Sequence, residues 1–325
     1  MAPTPRRRDA CGPAEPVPPA QPSQSLWQRL LGWRGHHRPE LHVSRRKTKK
    51  AAEKAARPPI RIDARSHVGR VREKNEDRFL VVEPKDPRLG IVLCVADGMG
   101  GHPAGEEAAE ALVKTVGRWE SEAAEVLERH PEGDLGPALA ERMAALMKEA
   151  HEAILKIGEQ HPDKEGLGST GLVGLLHEGM LYVFHSGDSR AYLLRGRTLE
   201  QITGDHVVLE GGVRFLAAHM GMPEGLYLDR ATVKLEEGDR ILLCSDGLTD
   251  MVAPEEFGFL LLEAKTPAEA NEAMISLALE AGGLDNITCI TVFYGERREE
   301  PAPEDAKTEE IEIERSPPTD PGERE

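Results

Sequence analysis

Four short, almost unbroken apolar runs limit what this chain can become: GIVLCVA at 90–96, LYVFHS at 181–186, RILLCS at 240–245 and ITCITVFY at 287–294. Each has the length of a buried strand and either leads into a turn or ends the folded region. Two long amphipathic stretches, 104–129 and 135–160, follow one another directly. Ala, Leu, Met and Glu recur in them at spacings of three and four, which predicts helices, and a third helix is predicted over 267–281. Strand pairs, then two successive helices, more strands, a helix and a last strand do not alternate as βα units do. That order predicts antiparallel sheets with segregated helices. No repeat of 20 to 50 residues is visible, which removes solenoids and propellers.

Composition divides the 325 residues into three parts. Residues 1–59 hold thirteen Lys and Arg against four Asp and Glu, with many Pro and Ala, and read as a basic disordered extension. Within it, SLWQRLLGWR at 25–34 gathers Leu26, Trp27, Leu30, Leu31 and Trp33 among basic residues. A solvated linker is the favoured reading of that segment, and peripheral docking on a membrane or partner is the alternative. Residues 296–325 hold twelve acidic against five basic residues and read as an acidic disordered tail. Flanks of +9 and −7 leave −18 of the total −16 on residues 60–295, the expected single folded domain.

That charge argues against nucleic acid as a partner, because neutralising phosphates needs clustered Lys and Arg. Cys11, Cys94, Cys244 and Cys289 stand singly, which suggests neither a zinc knuckle nor a disulfide framework and fits a reducing cytoplasm. Cys94 and Cys244 read as small buried hydrophobes. No run approaches the roughly 18 apolar residues of a membrane span, and no secretory signal is seen. The expected location is the cytoplasm, with any membrane contact peripheral.

The chemistry is carried by carboxylates at strand ends. In VADGMGGH (95–102) an apolar strand runs into Asp97 and then three glycines within four residues. Glycines there permit a sharp turn and bring a carbonyl such as that of Gly98 close to a ligand. LLCSDGLTD (242–250) repeats the design with Asp246, and GGLDNIT (282–288) sets Asp285 in a glycine-rich turn before the last strand. A single Asp-Gly is usually a plain turn. Three at strand ends predict a shared site of hard oxygen ligands, hence Mg²⁺ or Mn²⁺. REKNEDRF (72–79) adds Arg72, suited to binding phosphate bidentately, and, were the segment a strand, Glu76 on the same face, with Asp77 next to it. GDSR (187–190) reads as a hairpin joining two strands, with Asp188 either a turn residue or a ligand to a further cation.

These motifs, in this order and spacing, resemble the metal-dependent Ser/Thr protein phosphatases of type 2C, especially the bacterial members. RxxNED, ADGMGGHxxGE, GSTG, GDSRAYLLR, QIT, GDRILLCSDGL and GGxDNIT all fall where that family has them, over residues 61 to about 294. The resemblance implies an α+β fold, a central sandwich of two antiparallel sheets with helices on both outer faces. It implies that Asp97 bridges two cations, that Asp246 and Asp285 complete the first, that Glu76 or Asp77 with the Gly98 carbonyl serves the second, and that Asp188 holds a third, weaker one. The reaction implied is attack of a metal-bridging hydroxide on phosphoserine or phosphothreonine, with Arg72 orienting the phosphoryl group and no covalent phosphoenzyme. Phosphorylated proteins, Ser/Thr kinases and their substrates are the partners implied, with the protein a monomer.

Two departures stand out. Animal relatives carry a His after the first Asp-Gly as a suggested general acid, whereas this chain has Met99, so His102 or a metal-bound water becomes the candidate. Between GDHVVLEG (204–211) and LCSDG, the segment corresponding to the bacterial flap is shortened to GVRFLAAHMGMPEG (212–225). Altered substrate docking and a weakened third metal site are expected from that. A regulatory pseudo-phosphatase that binds a phosphoprotein or kinase without turnover is the alternative from another class. A phosphodiesterase or nuclease is a third option, disfavoured by the acidic domain.

Overall fold

The computed structural model describes residues 58–99, 103–130, 134–160 and 166–296. The basic segment with its 25–34 motif, Cys11, His102 and the tail from 297 onward lie outside the described residues. Two five-stranded sheets form the centre. The first has the order β1-β14-β13-β8-β9, from Ile60–His67 (β1), Ile287–Tyr294 (β14), Arg240–Cys244 (β13), Arg190–Arg195 (β8) and Thr198–Gln201 (β9). The second has the order β12-β7-β6-β3-β2, from Asp229–Lys234 (β12), Met180–Ser186 (β7), Gly171–His177 (β6), Ile91–Ala96 (β3) and Arg78–Val82 (β2). All pairings within both sheets are antiparallel.

The apolar runs are continuous because both faces of each central strand are buried, and the strand period of two sends alternate residues to different cores. Along β3, Leu93 and Val95 point between the sheets, where they join Leu172, Val183, Leu193, Leu243, Ile290 and Val292. Val92 and Cys94 belong instead to the core beneath helices α1 (Pro103–Val116), α2 (Trp119–Arg129) and α3 (Gly136–Gln160), with Leu112, Trp119, Met143 and Met147. On the other side Leu242, Cys244, Ile287 and Cys289 pack under α5 (Pro254–Glu263) and α6 (Pro267–Glu280). The order of layers is α-β-β-α, as the resemblance implied, and the sheets are antiparallel, as the element order predicted.

Three local expectations need correction. The stretch 104–129 is two helices, broken at Gly117 and Arg118, because the buried Trp119 turns in to donate its indole N–H to the Leu89 carbonyl at 3.0 Å. Residues 68–77, with Arg72 and Glu76, form a loop between β1 and β2 and not a strand. GDSR is not a hairpin within one sheet: β7 and β8 lie in different sheets, so Gly187, Asp188 and Ser189 carry the chain across the sandwich.

Strand register decides where the loops fall. His67 is opposite Ile287, Arg78 opposite Ala96, Cys244 opposite Arg190 and Cys289, and Ser186 opposite Gly171. Every segment singled out for its chemistry therefore leaves the sandwich at the same end.

His185, near the end of β7, is buried, and its ring lies 4.7 Å from that of His206. Burial first, and the neighbouring His206 second, push its pKa down to about 4. The unfolded chain then takes up a proton near pH 6.5 that the native state refuses until about pH 4, so this residue destabilises the fold as pH falls through that window. Urea unfolding of wild type and His185→Phe should show the difference between them moving toward the variant by about 2 kcal/mol from pH 7.5 to 5. A pH-independent difference would refute the shift.

Candidate active site

Arg72, Glu76, Asp97, Gly98, Met99, Thr170, Asp188, Leu216, Asp246, Asp285 and Asn286 line one cavity of about 280 Å³ at the loop end of the sandwich. Six of the predicted charged residues thus converge from five separate segments. Asp77 lies beneath them. It is buried, and its Oδ2 accepts from Ser245 Oγ at 2.8 Å and from Thr288 Oγ1 at 2.6 Å. Of the two neighbours between which the sequence left a choice, Glu76 is the one in the cavity wall. His102 lies outside the described residues.

Backbone packing sets the strand ends together. Gly98 and Met99 pair as a short strand, β4, with Gly168 and Ser169, β5. A Cβ on Gly98 would overlap the Gly105 carbonyl at the start of α1. Asp246 opens a one-turn helix, α4 (Asp246–Thr249), and a Cβ on Gly247 would overlap the Asn286 carbonyl next to Asp285. The glycines after two of the acids are therefore needed for close approach of backbones, in addition to any turn they make.

Several polar residues that lie within the motifs, without a local signal of their own, hold the acids in place. Thr170 donates its N–H to the Asp97 carbonyl at 2.8 Å, and its Oγ1 accepts from the Asp97 N–H at 3.0 Å. The same Oγ1 lies 2.7 Å from Ser189 Oγ, linking the Asp97 strand end to the crossing that bears Asp188. Asn286 donates to the Val68 and Lys74 carbonyls at 2.8 and 2.9 Å and accepts from the Glu76 N–H at 2.7 Å. That one side chain fixes both ends of the loop that carries Arg72. Arg72 Nη2 in turn contacts Asp285 Oδ2 at 2.7 Å.

Electrostatics single out the same place. Burial, and then the charges of Asp77, Asp246, Asp188 and Asp285, raise the Asp97 pKa well above the ordinary carboxylate range. Burial, followed by Asp188, pushes Asp246 up to about 7, and burial pushes Asp77 up to about 6. Asp77 Oδ1 is buried with no hydrogen-bond partner among the described residues. So much negative charge in a desolvated space asks for cations. Oxygen donors suit Mg²⁺ or Mn²⁺, and a fully assembled shell of three ligand side chains is not present among the described residues. The carboxylates line one shared cavity.

Residues 65–278 match the family model for protein phosphatase 2C, about two thirds of the chain. The chain belongs to the protein phosphatase 2C family. It is 31% identical over 250 residues to the serine/threonine phosphatase stp of Listeria monocytogenes, covering 72% of this chain and 95% of that one. It is 38% identical over 248 residues to the serine/threonine protein phosphatase PstP of Mycobacterium tuberculosis, covering 71% of this chain and 44% of the longer relative. The PstP catalytic domain in complex with two manganese ions superimposes with a TM-score of 0.61 at 32% identity, over 73% of this chain and 99% of that one. The bacterial-type phosphatase family implied by the motifs is thereby established, and with it the enzyme class, protein-serine/threonine phosphatase. Among the described residues no helix is long and apolar enough to cross a membrane.

Asn286→Ala should cost about 2–3 kcal/mol of stability, because three partnered groups lose their partner at once. It should also raise KM for a phosphopeptide by loosening Arg72. Calorimetry and steady-state kinetics check both, and unchanged KM would separate Asn286 from the site. Gly247→Ala should lower divalent-ion affinity at least tenfold, measured by Mn²⁺ titration, because the added carbon displaces the turn bearing Asp285.

Proposed function

We propose that this protein hydrolyses phosphoserine and phosphothreonine in proteins by direct attack of water, with two Mg²⁺ or Mn²⁺ ions held in the cavity. The observation that carries the reading is that Asp97, Asp246 and Asp285, from three separate strand ends, line one cavity with Arg72. Asp97, whose carboxylate is buried among the other acids, would be a ligand to the ions. Asp246 and Asp285 would hold one ion, and Glu76 with the Gly98 carbonyl would hold the other. Asp77 supports the floor through Ser245 and Thr288.

Bound there, the divalent pair supplies Lewis acidity and a water whose pKa falls by several units toward neutrality. The protein's own groups bind and orient. Arg72 keeps one Nη on Asp285 and has further guanidinium donors for the oxygens of the phosphoryl group. Met99, in the cavity wall, has no proton to give. The leaving seryl or threonyl oxygen then takes its proton from His102 or from water.

The substrates in this reading are phosphoproteins, namely Ser/Thr kinases and their targets, and the protein acts as a cytoplasmic monomer. Segment 25–34 is left as a linker or a peripheral docking element. The pseudo-phosphatase alternative draws no support from the cavity, since every carboxylate of the pair of ion positions is present.

Purified protein should release phosphate from a phosphothreonine peptide with Mn²⁺ or Mg²⁺ and not in EDTA. Asp97→Asn should lower kcat by a hundredfold or more, and Arg72→Ala should act largely through KM, by about tenfold. Turnover that persists in EDTA, or an Asp97→Asn protein as active as wild type, would overturn the reading.

A further inference from the structure

Asp188 lines the cavity beside Asp97 and Asp246, but its carboxylate already has a cation. Arg214 Nη2 lies 2.9 Å from Asp188 Oδ2, and Arg214 Nη1 lies 3.1 Å from Asp250 Oδ1. Asp205 is also near, at 3.5 Å from Arg214 Nη2, but it has its own fork from Arg190, whose Nε and Nη2 reach its two oxygens at 2.8 and 2.6 Å. The Arg214 charge is therefore directed to Asp188 and Asp250.

Arg214 is also fixed in place. It sits in β11 (Val213–Leu216), which pairs antiparallel with β10 (Val207–Glu210) as the shortened hairpin in place of the flap. Both sides of that hairpin are tied to the body. The His206 N–H donates to the Gly187 carbonyl and the Ala217 N–H to the His206 carbonyl, each at 2.8 Å, while Met220 bridges Ser169 through reciprocal backbone bonds. Strand alternation puts Arg214 and Leu216 on the face toward the cavity, which Leu216 lines, and leaves Phe215 exposed opposite. The Arg214 side chain is 32% exposed and the Asp188 side chain 10%.

We infer that Arg214 stands in for a third divalent ion: its guanidinium takes the position between Asp188 and Asp250 as a tethered cation. The chain then loads two ions, and Asp188 accepts a third only when Arg214 is removed. The physical reason is that a divalent ion and a guanidinium compete for the same carboxylate and repel one another. This inference rests on the two-ion reading above and adds to it a position closed by the protein's own side chain.

The test counts bound Mn²⁺ on the full chain by calorimetric titration and by the loss of the free-ion electron paramagnetic resonance signal. Wild type should bind two ions. Arg214→Ala and Arg214→Gln, the second keeping much of the side chain's length without its charge, should each bind a third more weakly. The double variant Arg214→Ala/Asp188→Ala should return to two. A wild type that binds three, with the third lost in Asp188→Ala, overturns the inference, as does an Arg214→Gln protein, folded by circular dichroism, that stays at two. A wild type that binds none, or an Asp97→Asn protein that keeps both ions, overturns the two-ion reading itself and the inference with it.

Discussion

The constraint on which the rest depends is the mutual repulsion of carboxylates gathered at one end of the sandwich. Burial first, and the neighbouring carboxylates second, raise the affinity of Asp97 and Asp246 for protons, and burial does the same for Asp77. A fold can hold such a cluster only if the surrounding structure over-determines it. Here the surroundings are two sheets with fully buried central strands, whose register leaves the acids no freedom to move apart. Two arginines, Arg72 on Asp285 and Arg214 on Asp188, offset part of the charge. The remainder is the demand that divalent ions meet.

A second layer of neutral polar groups turns that repulsion into defined geometry. Ser245 and Thr288 hold Asp77, Thr170 clamps Asp97 to the crossing between sheets, and Asn286 closes the loop of Arg72. These residues are small, and each sits where a strand begins or ends. Such positions have backbone donors and acceptors that no strand partner takes up, and a hydroxyl or carboxamide satisfies them at short range. The acids thus depend for their placement on side chains that do no chemistry themselves.

The β10–β11 hairpin follows a different logic from the body. Its strands are four residues each and form a sheet of only two strands. Val208, Leu209 and Phe215 on it are exposed. It is held at its base by a few backbone hydrogen bonds and near its middle by Arg214. An element with so little buried surface takes its position from specific ties, and the ion pair into the cavity is one of these.

Legible in the sequence alone were antiparallel sheets with segregated helices, the acids at strand ends and, through the resemblance, the layer order and the family, because these rest on local signals: unbroken apolar runs, glycines beside aspartates, and motif spacing. Tertiary structure alone decided that the 68–77 segment is a loop, that Gly187 to Ser189 cross between sheets, and that Arg214 meets Asp188. Each of those depends on contacts between residues far apart in the chain. Local pattern does not record them, since a turn within a sheet and a crossing between sheets use the same residues, and an arginine in a short strand carries no mark of the carboxylate it will find.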